Sequence, residues 1–124
     1  MHWNIPKKPL IAVIDDEKSI RHGLSSLLRA VGYEVILFES AEAFLDYPLI
    51  HDIQLNILDL KLTGISGFEL FKVLKDMKVD IPTIFISGNV EQSMINELNQ
   101  RGGLLFLQKP IDIDRLLREI ESIF

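Results

Sequence analysis

Leu10-Ile11-Ala12-Val13-Ile14-Asp15-Asp16-Glu17 is an apolar run of five residues that breaks abruptly into acid. A short run with no polar alternation reads as a strand buried on both faces, the habit of parallel sheets. The same design recurs downstream. Leu55-Asn56-Ile57-Leu58 closes on Asp59, Ile84-Phe85-Ile86 on Ser87, and Leu104-Leu105-Phe106-Leu107-Gln108 on Lys109. Strands are expected at about 10–14, 33–38, 54–59, 82–87 and 104–108, and helix-period segments between them at about 17–31, 41–47, 67–77, 90–101 and 112–123. Strands alternating with helices predict an α/β fold, a doubly wound five-stranded parallel sheet with five helices.

Local chemistry supports these boundaries. Ser66 followed by Glu69 makes a capping box ahead of Phe68, Leu70, Phe71 and Leu74, so a helix is expected to start at Gly67. Asn89 with Gln92, Ser40 before Ala41-Glu42, and Asp112 before Ile113 are further N-cap candidates. Gly32 and Gly102 suit left-handed helix ends, and Pro82 opens the fourth strand where a missing donor does little harm.

At 124 residues, 48% hydrophobic and 25% charged, the chain is long enough for one well-buried core and has the balance of a globular domain. Residues 1–8 read as an N-terminal tail without the apolar core of a signal peptide, and residues 9–124 as a single domain. The absence of cysteine excludes a disulfide scaffold, a thiolate zinc site and a cysteine nucleophile, and it fits a cytoplasmic protein. No stretch approaches the roughly 20 apolar residues that span a bilayer. A net charge of −5 argues against direct binding of nucleic acid or an anionic membrane by this domain, since both need a basic face.

The acids carry the function. In open parallel sheets, ligands bind beyond the carboxyl ends of the strands where the strand order reverses. For five βα units the flavodoxin-like order 2-1-3-4-5 puts that point between the strands ending in Asp15-Asp16 and in Asp59. Carboxylates crowded there oppose one another's ionisation, and a divalent cation relieves the conflict. Hard oxygen ligands with room for water favour Mg²⁺, held by Asp16 and Asp59 with Asp15 nearby or acting through water. A carboxylate beside Mg²⁺ is also a nucleophile toward phosphoryl groups. Asp59 is then the candidate nucleophile, with Lys109 and the Ser87 hydroxyl placed to meet phosphate oxygens. Taken singly, Asp15 or Asp16 could cap the helix near Glu17, Asp59 could begin a turn, Lys109 could be a solvated lysine, and Phe106 could be core.

Asp15-Asp16-Glu17, Asp59 followed by Gly64-Ile65-Ser66-Gly67, Ser87-Gly88 and Lys109-Pro110 together resemble the receiver domain of two-component response regulators, over residues 9–124. The resemblance implies a CheY-like fold and a phosphorylation-dependent switch. Asp59 would accept a phosphoryl group from a sensor histidine kinase, with Asp15, Asp16, Asp59 and the Lys61 backbone carbonyl on Mg²⁺. It also implies Ser87 as the switch hydroxyl, Phe106 as the switch aromatic and Lys109 as the phosphate-pairing cation. On that reading Ser87 moves in toward the phosphate, the Phe106 ring fills the space it leaves, and the surface of the fourth helix, fifth strand and fifth helix changes, a face that could also form a homodimer.

Ser40-Ala41-Glu42-Ala43-Phe44-Leu45 and Ile84-Phe85-Ile86-Ser87-Gly88-Asn89 are most similar to regulators of the FixJ type, which would carry a DNA-binding output domain not present here. Two departures stand out: Thr63 replaces the proline common four residues after the phosphoacceptor, and Gly102-Gly103-Leu104 replaces a more polar segment. The alternatives are a Mg²⁺-dependent aspartyl-phosphate phosphatase or phosphotransferase of the haloacid dehalogenase type, a flavodoxin-like FMN protein and a docking module that is never phosphorylated. The first places its nucleophile in an Asp-x-Asp pattern after the first strand, and the second needs a hydroxyl- and glycine-rich loop where this chain has Asp15-Asp16-Glu17.

Overall fold

Apolar runs of five residues, alternating in direction of side chain, build a sheet with a core on each face. The structure, a computed structural model, describes residues 8–103 and 105–124. The expected tail therefore lies outside the described residues except for Lys8, and so does Leu104. The strands are β1 Leu10–Ile14, β2 Glu34–Phe38, β3 Leu55–Asp59, β4 Thr83–Ser87 and β5 Leu105–Gln108, all parallel, in the order β2-β1-β3-β4-β5. The helices are α1 Lys18–Ala30, α2 Ala41–Leu45, α3 Gly67–Asp76, α4 Gln92–Gln100 and α5 Ile113–Ile123. No helix among the described residues is long and apolar enough to cross a membrane.

Along β1 the side chains alternate between two cores. Ala12 and Ile14 join Phe44, Leu58, Leu70, Phe71 and Phe85 on one face, while Ile11 and Val13 join Leu24, Leu28, Ile57, Ile86, Leu116 and Ile120 on the other. With helices on both faces, the central strands β3 and β4 are buried throughout, which is why neither shows polar alternation. The order reverses at β1: β2 lies on one side and β3 on the other, so the carboxyl ends of β1 and β3 flank the crevice.

Three of the expected caps form. Ser40, Ser66 and Asp112 accept hydrogen bonds from the N–H groups of Ala43, Glu69 and Arg115. Glu69 turns its carboxylate to the Ser66 hydroxyl, 3.5 Å away, so the Ser66 arm of the box carries the cap. Asn89 does not cap α4. Glu91 stands at the N-cap with no side-chain bond, because the helix begins only at Gln92 and leaves Asn89 exposed in the preceding loop. Strand β4 starts at Thr83, one residue after Pro82, whose carbonyl still accepts from the Asn56 N–H at 2.9 Å. α2 stops at Leu45, and a 3₁₀ turn at Ile50–Asp52, unmarked in the sequence pattern, carries the chain on toward β3.

Candidate functional site

Parallel ladders that run past the ends of the strands fix the backbone of the site. The Asp15 N–H donates to the Phe38 carbonyl at 3.1 Å, Leu60 N–H to Ile86 at 3.0 Å, and Lys109 N–H to Ser87 at 2.8 Å. Asp15, Asp59, Ser87 and Lys109 therefore sit on, or one step beyond, a rigid strand end, and Asp16 one residue further. Arg21 on α1 adds a bond from Nη1 to the Asp15 carbonyl at 2.7 Å. Behind Asp59, Gly67 opens α3 so close to the Asp59 carbonyl that a Cβ there would overlap it. Only glycine lets α3 start at that place without displacing the acid.

Asp15, Asp16, Glu17 and Asp59 each offer a carboxylate oxygen within 4.8 Å of the others. Asp15 and Asp59 are buried, 0% and 3% exposed, whereas Asp16 and Glu17 are open to solvent. Three of the carboxylates are anchored by backbone N–H groups. Asp15 Oδ1 accepts from the Glu17 N–H at 2.8 Å, Asp59 Oδ1 from the Lys61 N–H at 2.9 Å, and Asp16 Oδ2 from both the N–H and the hydroxyl of Thr63 at 3.2 Å. Lys109 is the shared cation, its Nζ 3.0 Å from Asp15 Oδ2, Asp59 Oδ2 and Glu17 Oε1.

One ammonium against four carboxylates leaves the pocket formally three charges negative. Burial pushes the Asp15 carboxyl above its usual value, and the Glu17 N–H and Lys109 only partly oppose that. Burial also works against the charge on Lys109, but its bonds to Asp15, Asp59 and Glu17 outweigh it and hold the lysine above its ordinary value. Within the pocket, Ser87 Oγ is buried with no hydrogen-bond partner among the described residues, and Asp15 Oδ2 meets only the Lys109 ammonium, 3.0 Å away. Such groups are costly when left alone. A hard cation among the carboxylates and an anion's oxygen beside Ser87 would each satisfy one, so the donor set fits Mg²⁺.

The topology brings Asp15, Asp16, Asp59 and Lys109 into this single site, with Ser87 buried at the end of β4. Lys61 lies two residues past Asp59, exposed, with its N–H on the acid. Phe106 is half-buried away from the carboxylates; it pairs in register with Phe85 as Gln108 does with Ser87, so it shares the face of Ser87 one pair back. The partnership of Glu17 with Lys109 has no sequence signal beyond the adjacency of Glu17 to the acid pair. The Thr63 contact shows only as a hydroxyl where the resemblance expected proline. A cis peptide joins Lys109 to Pro110.

Residues 11–121 match the family described as response regulator receiver domain. The chain is 34% identical over 113 residues to the transcriptional regulatory protein FixJ of Rhizobium meliloti (strain 1021), covering 90% of this chain and 54% of FixJ. It thus spans about half the length of the curated relatives it matches. Among solved structures, a response regulator receiver protein from Pseudomonas putida superposes with a TM-score of 0.87 at 26% identity, covering 95% of this chain and 99% of that one. The crystal structure of FixJ-N follows at a TM-score of 0.81 and 31% identity, covering 95% and 94%.

Proposed function

The chain belongs to the response regulator receiver family, a class of signalling module, and from that membership we propose that it is a switch set by phosphorylation of Asp59. The observation that carries this reading is Lys109 Nζ at 3.0 Å from Asp59 Oδ2 while the Ser87 hydroxyl, on the adjoining strand, has no hydrogen-bond partner among the described residues. A nucleophile, a cation and a spare hydroxyl at three strand ends are what an acyl phosphate needs. The donor is a sensor histidine kinase. An Asp59 carboxylate oxygen attacks the phosphorus of the phosphoimidazole, a P–O bond forms as the P–N bond breaks, and the electron pair leaves on the ring nitrogen, which takes a proton from water. The groove lined by Ile20, Leu24, Leu27, Pro110 and Ile113 opens beside Lys109 and supports seating of the kinase's phosphohistidine-bearing domain there.

Asp15, Asp16, Asp59 and the Lys61 carbonyl would hold Mg²⁺, with Glu17 at the rim. When bound, Mg²⁺ offsets the carboxylates and the charge of the incoming phosphoryl oxygens. Lys109, already on Asp59, follows the new charge onto a phosphate oxygen, and Ser87 turns its hydroxyl to another. Phe106, on the same face, moves into the space Ser87 leaves and alters the surface of α4, β5 and α5, which is also the face for a homodimer. Residues 9–124 form this receiver unit, which acts in the cytoplasm, binds neither nucleic acid nor membrane itself, and controls an output domain outside the present chain.

Transfer is stoichiometric, not turnover. Intact-mass spectrometry after incubation with acetyl phosphate and Mg²⁺ is expected to add one phosphoryl group to the wild type and none to Asp59→Asn. An equal gain by both proteins would sink the assignment of Asp59, and sustained hydrolysis of phosphomonoesters would make the protein an enzyme instead.

A further inference from the structure

Asp15 and Asp59 are buried, and each is anchored by the N–H two residues further on. Asp16 is exposed, and among the described residues its carboxylate has one anchor, Thr63, 47 positions away. The Thr63 N–H and hydroxyl converge on a single oxygen, Oδ2, and among the described residues none donates to Oδ1. The contact ties the loop after β1 to the loop after β3 across the mouth of the pocket. Just beyond it, Gly64 has a φ of +82° and lies so close to the Glu42 carboxylate that a Cβ would meet it.

An exposed carboxylate samples several rotamers and loses that freedom when it binds a cation. One already held by two donors loses less, and donors that orient a metal ligand from behind commonly change affinity by about 10- to 100-fold. We propose that Thr63 is a positioning residue for the divalent cation, its hydroxyl holding Asp16 with one oxygen turned to the pocket. The proposal rests on the reading of Asp15, Asp16 and Asp59 as a Mg²⁺ site. Asp16 is the one of the three that Lys109 does not pair with, its contact being Thr63 instead, so Thr63 governs how tightly the cation binds.

Calorimetric titration of MgCl₂ into the full chain tests this, with no phosphorylation step involved. Wild type is expected to bind saturably, Thr63→Val to bind about tenfold more weakly, since its N–H remains, and Thr63→Ser to return to the wild-type affinity. Thr63 is exposed, so these substitutions leave the core untouched. Equal affinity for wild type and Thr63→Val, tighter binding by Thr63→Val, or a Thr63→Ser variant that behaves like valine would each overturn the role of the hydroxyl. Absence of saturable binding to the wild type would overturn the metal site itself, and this role with it.

Discussion

Asp15 carries a conflict, a carboxyl buried in an acidic pocket. Its carboxyl is fully buried and raised above its usual value, chiefly by burial. The folded chain therefore holds this proton more tightly than the unfolded chain does. The residue's contribution to stability is most favourable below its unfolded value of 3.8 and worsens as the pH rises through the raised folded value. Lys109 works the other way. Its raised value gives stability that is fully present below 10.5 and lost only as the pH climbs through the folded value above that. At neutral pH the lysine stabilises and the aspartate costs. Asp15→Asn in Mg²⁺-free buffer is accordingly expected to raise the unfolding free energy by roughly 1 kcal/mol at pH 7, a gain that shrinks as the pH falls toward the carboxylate range. Urea unfolding across pH measures it. A loss of stability at pH 7 would mean that the pairing of Asp15 with Lys109 outweighs the burial.

At the level of elements, three helices end alike. After α1, Gly32 and Tyr33 donate to the carbonyls of Arg29 and Leu28; after α4, Gly102 and Gly103 donate to Asn99 and Leu98; after α3, Lys78 and Val79 donate to Lys75 and Leu74. Each is a left-handed stop that satisfies the last carbonyls. Gly32 and Gly102 take φ of +101° and +88°, but the α3 stop puts Lys78 at +58°. A side chain there costs about 1–2 kcal/mol, part of which glycine returns through the entropy of its unfolded chain. Lys78→Gly is expected to stabilise the protein by about 0.5–1 kcal/mol without changing phosphorylation, checked by chemical denaturation beside the acetyl phosphate assay. The glycine stops were legible as glycines; the lysine stop was not, because the packing of Val79 beneath α3 sets its conformation. Gly103 explains the unusual Gly102-Gly103 pair: a Cβ would stand 2.7 Å from the Phe85 ring and 2.9 Å from the Leu98 carbonyl.

For the whole molecule, the four converging carboxylates predict a stability that depends on a divalent cation. Ligand that binds only the folded state adds RT ln(1 + [L]/Kd), about 2.7 kcal/mol at one hundred times Kd. Saturating Mg²⁺ should raise the melting temperature by on the order of 10 °C, and most of that rise should vanish in Asp59→Asn. NaCl at matched ionic strength is the control; an equal rise with it would point to general screening of the acidic pocket. What the sequence by itself determined were the five apolar strands, the caps at Ser40, Ser66 and Asp112, and the set Asp15, Asp16, Asp59, Ser87 and Lys109 at strand ends. Those follow from periodicity and neighbouring residues, which act over one turn of helix or one strand. Only the tertiary structure decided that Glu17 shares Lys109, that Thr63 holds Asp16, that Gly67 lies against the Asp59 carbonyl and that Ser87 has no hydrogen-bond partner among the described residues. These depend on the approach of segments far apart in the chain, set by how two cores pack on one sheet, and no local pattern records that distance.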